Sequence, residues 1–237
     1  MKKKSIMSLL VAMLLLASCN KEDFHHSVAV TYPSTSQMAF VYADQLEDSI
    51  EFQTTDQFTL SSNESWIIIP AESQTKEINY ADRNVWILNL PIQFQANTTG
   101  KPRTGSVSLH TYGGNDWDQT VSAYYYQVPW PNITCPAPAY SYQERIAVSA
   151  VFEATEPDVL QEPDTLMFTA YGDWTLTDGT FVHPAVNMGT KGEQKVVLNI
   201  DPNMGTEERT DVIKLTSNGV TTEITYKQEI KKEEEEE

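Results

Sequence analysis

The chain has 237 residues with 33 acidic and 16 basic side chains, a formal net charge of −17. That balance argues against nucleic acid or an anionic lipid surface as a partner, since both need a basic patch. Two cysteines, Cys19 and Cys135, and four histidines leave little material for a disulfide framework or a thiolate metal site.

Lys2, Lys3 and Lys4 precede an apolar run over residues 6–16, too short to span a bilayer comfortably, and residues 1–18 read as a secretory signal peptide. The run ends in Leu16-Ala17-Ser18-Cys19, which resembles the lipobox of bacterial lipoproteins. The resemblance implies that Cys19 becomes the lipidated first residue of the mature chain. Cys19-Asn20-Lys21-Glu22-Asp23 in turn resembles the export signal of Bacteroidetes lipoproteins, which implies a lipid-anchored protein on the outer face of the outer membrane. Loss of residues 1–18, which hold three lysines and no acid, takes the net charge from −17 to −20. Cys135 then has no free thiol to pair with. Residues 19–35 read as a tether, and its His25 and His26, without fixed carboxylate or thiolate partners, make a poor metal site.

Beyond the tether the chain reads as all-β. Leu88, Leu90, Ile92 and Phe94 alternate with Asn89, Pro91, Gln93 and Gln95, the period of a strand with one buried face. Val196, Leu198 and Ile200 repeat the phase, and shorter alternations recur at Phe58/Leu60, Val107/Leu109, Ala123/Tyr125, Leu166/Phe168, Ile213/Leu215 and Ile224/Tyr226. The chain is a tandem repeat. On sequence, residues 56–66 return as residues 164–174, with an offset of 108 positions at Trp66 and Trp174 and of 106 at Asn97 and Asn203. About seven short strands per copy predict two tandem immunoglobulin-like β-sandwiches, over residues 36–128 and 141–230. Residues 129–140, with four prolines, read as an extended linker holding the two apart, and residues 231–237 as a solvated acidic tail.

The landmarks Trp66, Asn97, Arg103 and Gln127, then Trp174, Asn203, Arg209 and Gln228, resemble the BACON domain pattern: a tryptophan after a short strand, an alternating strand into asparagine, an arginine six residues on, and a last strand ending in glutamine. The second copy is the closer match. The first carries Pro91 in a strand and a longer final hairpin. The resemblance implies immunoglobulin-like modules associated with polysaccharide or glycoprotein systems of gut Bacteroidetes, with carbohydrate binding or a spacer role.

Sugar rings stack on exposed aromatics while polar groups meet their hydroxyls. Trp66 and Trp174, present in both copies, read as core residues. Trp117 lies in the loop elongated only in the first copy, between Asp116 and Asp118 and close to Tyr112. Trp117 either stacks on a sugar or packs down on its own hairpin. Trp86 and Trp130 are weaker glycan-binding candidates, with seating of the linker against the first domain as the alternative for Trp130. Asp116 and Asp118 alone make a weak calcium signal. No nucleophile elbow, zinc-protease motif or phosphate loop occurs, and His110 and His183 fall at unrelated places. The expectation is a non-catalytic surface protein without a metal or other cofactor, partnered by a glycan or by surface proteins, with a structural spacer as the alternative. Asp48-Ser49-Ile50 and Asp164-Thr165-Leu166 also resemble the O-glycosylation triplet of Bacteroides.

Overall fold

The computed structural model describes residues 26–76, 85–113, 117–135, 147–152 and 164–229. The first nine strands are β1 (Val28–Tyr32), β2 (Ala39–Val41), β3 (Glu47–Thr54), β4 (Gln57–Ser62), β5 (Ile67–Ile68), β6 (Thr75–Lys76), β7 (Trp86–Phe94), β8 (Arg103–Gly113) and β9 (Trp117–Gln127). A four-residue helix α1 (Ala71–Gln74) precedes β6. The next nine are β10 (Asn132–Cys135), β11 (Ala147–Phe152), β12 (Asp164–Ala170), β13 (Trp174–Leu176), β14 (Val182–Pro184), β15 (Met188–Gly189), β16 (Gly192–Ile200), β17 (Arg209–Ser217) and β18 (Val220–Gln228).

Hydrogen bonding sorts them into four sheets. Sheets β1-β3-β7-β5 and β2-β9-β8-β4-β6 enclose Ile50, Phe52, Phe58, Leu60, Ile92 and Leu109. Sheets β10-β12-β16-β14 and β11-β18-β17-β13-β15 enclose Leu166, Phe168, Trp174, Leu198, Ile213 and Leu215. Each of the first nine strands occupies the place of the strand nine later, so the chain forms two immunoglobulin-like β-sandwiches of one topology. Alternation drives this: Ile92 and Phe94 are buried while Asn89, Pro91 and Gln93 are exposed, as Val196, Leu198 and Ile200 are buried between exposed Lys195, Val197 and Asn199. Pro91 is tolerated in β7 because β5 pairs only with Phe94 and Gln93. On that side Ser73 Oγ donates to the Pro91 carbonyl at 2.9 Å, so the missing N–H costs no ladder bond.

The strand registers correct the alignment of the copies. Ile50 pairs with Leu90 and Leu166 with Val196; Leu60 pairs with Leu109 and Leu176 with Leu215. From β3 to β4 the displacement is therefore 116 positions, the spacing of Ile50 and Leu166, not 108. It falls to 115 at β5 and to 106 from β7 onward, so of the ten extra residues of the first copy one lies between β4 and β5 and nine between β5 and β7, where α1 sits. Trp174 thus takes the place of Phe58, not of Trp66. Phe52 and Phe58 meet edge to face with centroids 4.9 Å apart, Phe168 and Trp174 with centroids 5.0 Å apart. The counterpart of Trp66 is Phe181. Their carbonyls accept the Gln95 and Asp201 amides, both at 2.9 Å. Arg103 covers the Trp66 ring at 4.7 Å and Arg209 the Phe181 ring at 4.3 Å. A slot in a core takes whichever large ring fits it, so matching the two tryptophans by identity misaligned the strands around them. In the corrected register Asp48 matches Asp164, each accepting the next residue's amide, at 2.8 and 2.7 Å.

Two segments read as connectors carry strands. β1 lies within the expected tether and pairs with β3, with Val30 entering the first core. β10 lies within the expected linker and pairs with β12, with Ile133 entering the second core. Short apolar stretches are recruited wherever an open sheet edge awaits them. The Trp130 carbonyl accepts the Ala43 amide at 3.0 Å, which seats this segment against the first sandwich. The sandwiches also touch directly. The buried Asp44 accepts the Tyr171 amide at 3.2 Å through Oδ2 and Asn218 Nδ2 at 2.8 Å through its carbonyl. Tyr42 stacks on Tyr171 with centroids 6.1 Å apart, and Lys191 pairs with Glu47 at 3.4 Å.

Candidate ligand-binding face

Arg103, Gln127 and Asn97 in the first sandwich and Arg209, Gln228 and Asn203 in the second form the same clasp. Arg103 Nε donates to Gln127 Oε1 at 2.7 Å and its Nη2 to the Gln95 carbonyl; Arg209 does the same to Gln228 at 2.7 Å and to the Asp201 carbonyl at 2.6 Å. Gln127 Nε2 and Gln228 Nε2 close each triangle at 3.2 Å onto those carbonyls. Asn97 Nδ2 donates to the Lys101 carbonyl at 2.8 Å and Asn203 Nδ2 to that of Glu207 at 2.9 Å, folding each β-crossover. Trp66, Asn97, Gln127, Trp174 and Gln228 are buried and Arg103, Asn203 and Arg209 half-buried, and their side chains are engaged in holding the sandwiches together.

On the outward face of the first five-stranded sheet, β8 projects Ser108, His110 and Tyr112 and β9 projects Asp118, Thr120, Ser122, Tyr124 and Tyr126. The pairing sets Tyr112 beside Asp118 and His110 beside Thr120. Tyr112 is 39% exposed, Tyr124 47% and Phe40, on neighbouring β2, 52%. The Tyr112 hydroxyl lies 2.9 Å from Thr59 Oγ1. His110 Nε2 stands 3.1 Å from the Asp118 carboxylate and Nδ1 3.0 Å from Thr120 Oγ1. A carboxylate only accepts, so Nε2 carries the proton toward Asp118, and in the neutral ring Nδ1 accepts from Thr120. His110 is tilted against Tyr112 with centroids 5.5 Å apart, and Phe40 against Tyr126 with centroids 6.1 Å apart. The result is a strip of aromatic rings among hydroxyls with one carboxylate.

Of the sequence candidates, Tyr112 and Asp118 belong to this strip. Trp117 does not stand free beside them. It is half-buried, stacked on the His26 ring with centroids 5.0 Å apart and planes 19° apart. His26 Nδ1 is 2.8 Å from the buried Asp56 carboxylate, which also accepts Thr55 Oγ1 at 2.7 Å. A Cβ at Gly113 would lie 2.5 Å from the His26 nitrogen and 2.6 Å from Asp56 Oδ1, so glycine is required for this approach. Trp117 therefore pins the start of the first sandwich, and its loop position is the first residue of β9. Trp86 is on the other sheet, opposite Thr54 and packed against the first core, so it cannot join Tyr112. Asp116 and the lipidation candidate Cys19 lie outside the described residues. Sequence reasoning missed His110, Tyr124, Tyr126, Phe40 and Thr59. The inward phase of Ala123/Tyr125 was the signal that could have found Tyr124 and Tyr126, since neighbours along a strand face opposite ways.

The second sandwich fills the same face differently. Lys214 and Glu223, at the places of Ser108 and Ser122, pair at 3.0 Å. Lys227, at the place of Tyr126, pairs with Glu208 at 2.7 Å. Thr216 and Thr221 are 2.9 Å apart where the first sandwich has His110 and Thr120. Among the described residues no group of three or more His, Cys, Asp or Glu side chains is placed to hold a metal.

Residues 173–229, from just before β13 to the residue after β18, match the BACON family model, described as "Putative binding domain, N-terminal". The match lies within the second sandwich and holds Trp174, Asn203, Arg209 and Gln228. No curated protein matches the chain. Among solved structures the chain is similar to a Bacteroides ovatus GH5 xyloglucanase in complex with a XXXG heptasaccharide, at 19% identity and a TM-score of 0.30, over 35% of this chain and 17% of that one. It is also similar to titin A168169, at 10% identity and a TM-score of 0.32 over 88% and 98% of the two chains. A third is the protocadherin GammaB4 extracellular domain, at 10% identity and a TM-score of 0.29 over 88% and 35%.

Proposed function

We propose that the chain is a non-catalytic glycan-binding lipoprotein, and that the outward face of the first five-stranded sheet takes the glycan. The observation that carries this reading is the strip of Tyr112, Tyr124, Tyr126 and Phe40 among Thr59, His110 and Thr120. Aromatic rings offer stacking platforms to the apolar faces of pyranoses, and the neighbouring groups exchange hydrogen bonds with hydroxyls. The description of the matched family as a binding domain supports binding in general, and the shared clasp supports extending that family to the first sandwich. Net acidity favours a neutral glycan over an anionic one.

The anchor is the lipid on Cys19, with the chain displayed outside the outer membrane. Because β1 begins at Val28, eight residues separate it from the lipidated cysteine, a reach of at most about 30 Å. The first sandwich accordingly sits near the bilayer. The second, with its ion-paired face and its contact through Asp44, serves as the spacer or protein-contacting module.

Binding of soluble residues 20–237 to a panel of host and plant glycans tests this, beside a Tyr112→Ala/Tyr124→Ala double variant and Trp117→Ala. Saturable binding weakened at least tenfold in the double variant is expected. Absence of binding across the panel, or binding untouched by the double variant, overturns the assignment to this face.

A further inference from the structure

Beside the strip, at the open edge of the first sandwich, is a pocket of about 460 Å³ formed by the end of β4, the turn that follows it, β5 and Gln74 of α1. Its apolar part is the half-buried Ile69 over the buried Leu60 and Ile67, and its polar part includes the exposed Ser61, Glu64 and Ser65. Among the described residues that line it there is no lysine or arginine.

The walls are held before any ligand arrives. Asn63 and Ser106 exchange two bonds, Ser106 N to Asn63 Oδ1 at 2.7 Å and Asn63 N to the Ser106 carbonyl at 3.2 Å. Ser62 Oγ accepts the Glu64 amide at 3.1 Å and donates to the Glu64 carbonyl at 2.9 Å. Gln74 Nε2 donates to the Ile69 carbonyl at 3.1 Å. These bonds spare a ligand the cost of ordering the turn.

The place is built differently in the second sandwich. There the Asp211 carboxylate enters the equivalent turn and accepts the Phe181 and Val182 amides at 2.8 and 2.9 Å. The position of Asp211 is Gly105 in the first sandwich, one residue pair along from the matched arginines. A Cβ at Gly105 would lie 2.8 Å from Ile67 Cδ1 and 3.1 Å from Glu64 Cγ, so glycine lets both pocket residues keep their positions.

We propose that this pocket binds the end group of a neutral, polyhydroxylated ligand: one sugar ring, its apolar face on the half-buried Ile69 and its hydroxyls on Glu64, Ser61 and Ser65. The volume falls within the range of small-ligand sites. Serine hydroxyls both donate and accept, a carboxylate accepts from two hydroxyls, and the lone negative charge without a cation turns anionic sugars away. This inference rests on the glycan reading above and deepens it, the sheet face taking the chain and the pocket its end.

The test is a backbone-amide NMR titration of residues 20–237 with the neutral disaccharides cellobiose and lactose, and with glucuronic acid as the anionic control. Saturable shifts over residues 60–69 and 74 are expected with at least one disaccharide at millimolar concentrations. They should weaken at least tenfold in Glu64→Gln, be at least tenfold weaker for glucuronic acid, and persist in Tyr112→Ala/Tyr124→Ala. Shifts that are absent, lie elsewhere, or survive Glu64→Gln unchanged overturn the pocket. Should a polymer from the panel still bind in that case, the sheet-face reading stands alone; should no polymer bind while the disaccharide shifts appear, the pocket stands alone.

Discussion

The two sandwiches agree in most of their inward-pointing side chains and part company in most of their outward-pointing ones. Tyr125 and Tyr226 are both fully buried at matching places on β9 and β18, and the arginine–glutamine clasps agree to within about a tenth of an ångström. One strand pair along, Tyr124 and Tyr126 face Thr225 and Lys227 as counterparts. Packing constrains inner faces to volume and shape, while an outer face is free to acquire rings in one copy and ion pairs in the other. The comparison therefore separates what the fold needs from what a ligand needs.

The largest expected effect breaks the equivalence of Phe58 and Trp174. Trp174→Ala should destabilise the second sandwich by about 3–5 kcal/mol, whereas Trp174→Phe, which installs the first sandwich's ring pair against Phe168, should cost well under half of that. Urea unfolding measures both. Equal losses would mean that the two edge-to-face pairs are not interchangeable.

The clasps should respond alike. Arg103→Ala and Arg209→Ala each remove two charge-assisted hydrogen bonds and a ring contact, and each should cost about 1.5–3 kcal/mol. Unfolding energies differing by more than about 1 kcal/mol between them would sink the structural equivalence of the motif.

Asp211 sharpens the contrast with Gly105. Burial pushes its carboxyl upward, but the amides of Phe181, Val182, Val212 and Thr180 outweigh burial and hold it below the ordinary carboxylate value. A lowered folded value contributes stability that is present above the unfolded value and is lost as pH falls through the folded one. Asp211→Asn should cost about 1.5–3 kcal/mol near neutrality and flatten the acid-induced loss in melts of the second sandwich from pH 6 to 2.

Asp44 has the opposite sign. Burial between the sandwiches raises its carboxyl above the ordinary value against the lowering effect of its hydrogen bonds. The folded contact therefore holds the proton more tightly than the open chain, is favoured at low pH, and weakens as pH rises from the ordinary value through the raised one. Asp44→Asn should strengthen the contact near neutrality by about 1 kcal/mol or less and remove its pH dependence. Small-angle scattering against pH would read this; identical profiles for both proteins would contradict it.

Smallest of all, Tyr112→Ala and Tyr124→Ala should each shift stability by about 0.5 kcal/mol or less, as for surface positions, although binding falls. A larger loss in thermal unfolding would turn the strip from a binding face into a packing feature.

Much of the fold was legible because a half-buried strand writes its exposure into every second residue. Leu88 to Phe94 and Val196 to Ile200 announced β7 and β16, and the asparagine and arginine landmarks kept their spacing while the glutamine, 24 residues after Arg103 and 19 after Arg209, moved with the length of the last hairpin yet closes the same clasp. The register of β3 and β4 was not legible: Trp66 and Trp174 look alike in sequence, yet fill different slots that phenylalanine fills in the other copy. The strip was half legible, through Tyr112 and Asp118, while Trp117 was unreadable because its partner His26 lies far away in sequence.

By itself, then, the amino-acid sequence determined an acidic, all-β chain of two duplicated sandwiches, since composition and period-two alternation are local properties. Only the tertiary structure decided which rings are core and which are surface, that β1 and β10 are strands rather than connectors, and that Gly105 and Asp211 make one turn a pocket and the other a closed loop. Those outcomes depend on strand pairing between residues distant along the chain, and pairing is settled by which edges and cavities remain to be filled once the cores have formed.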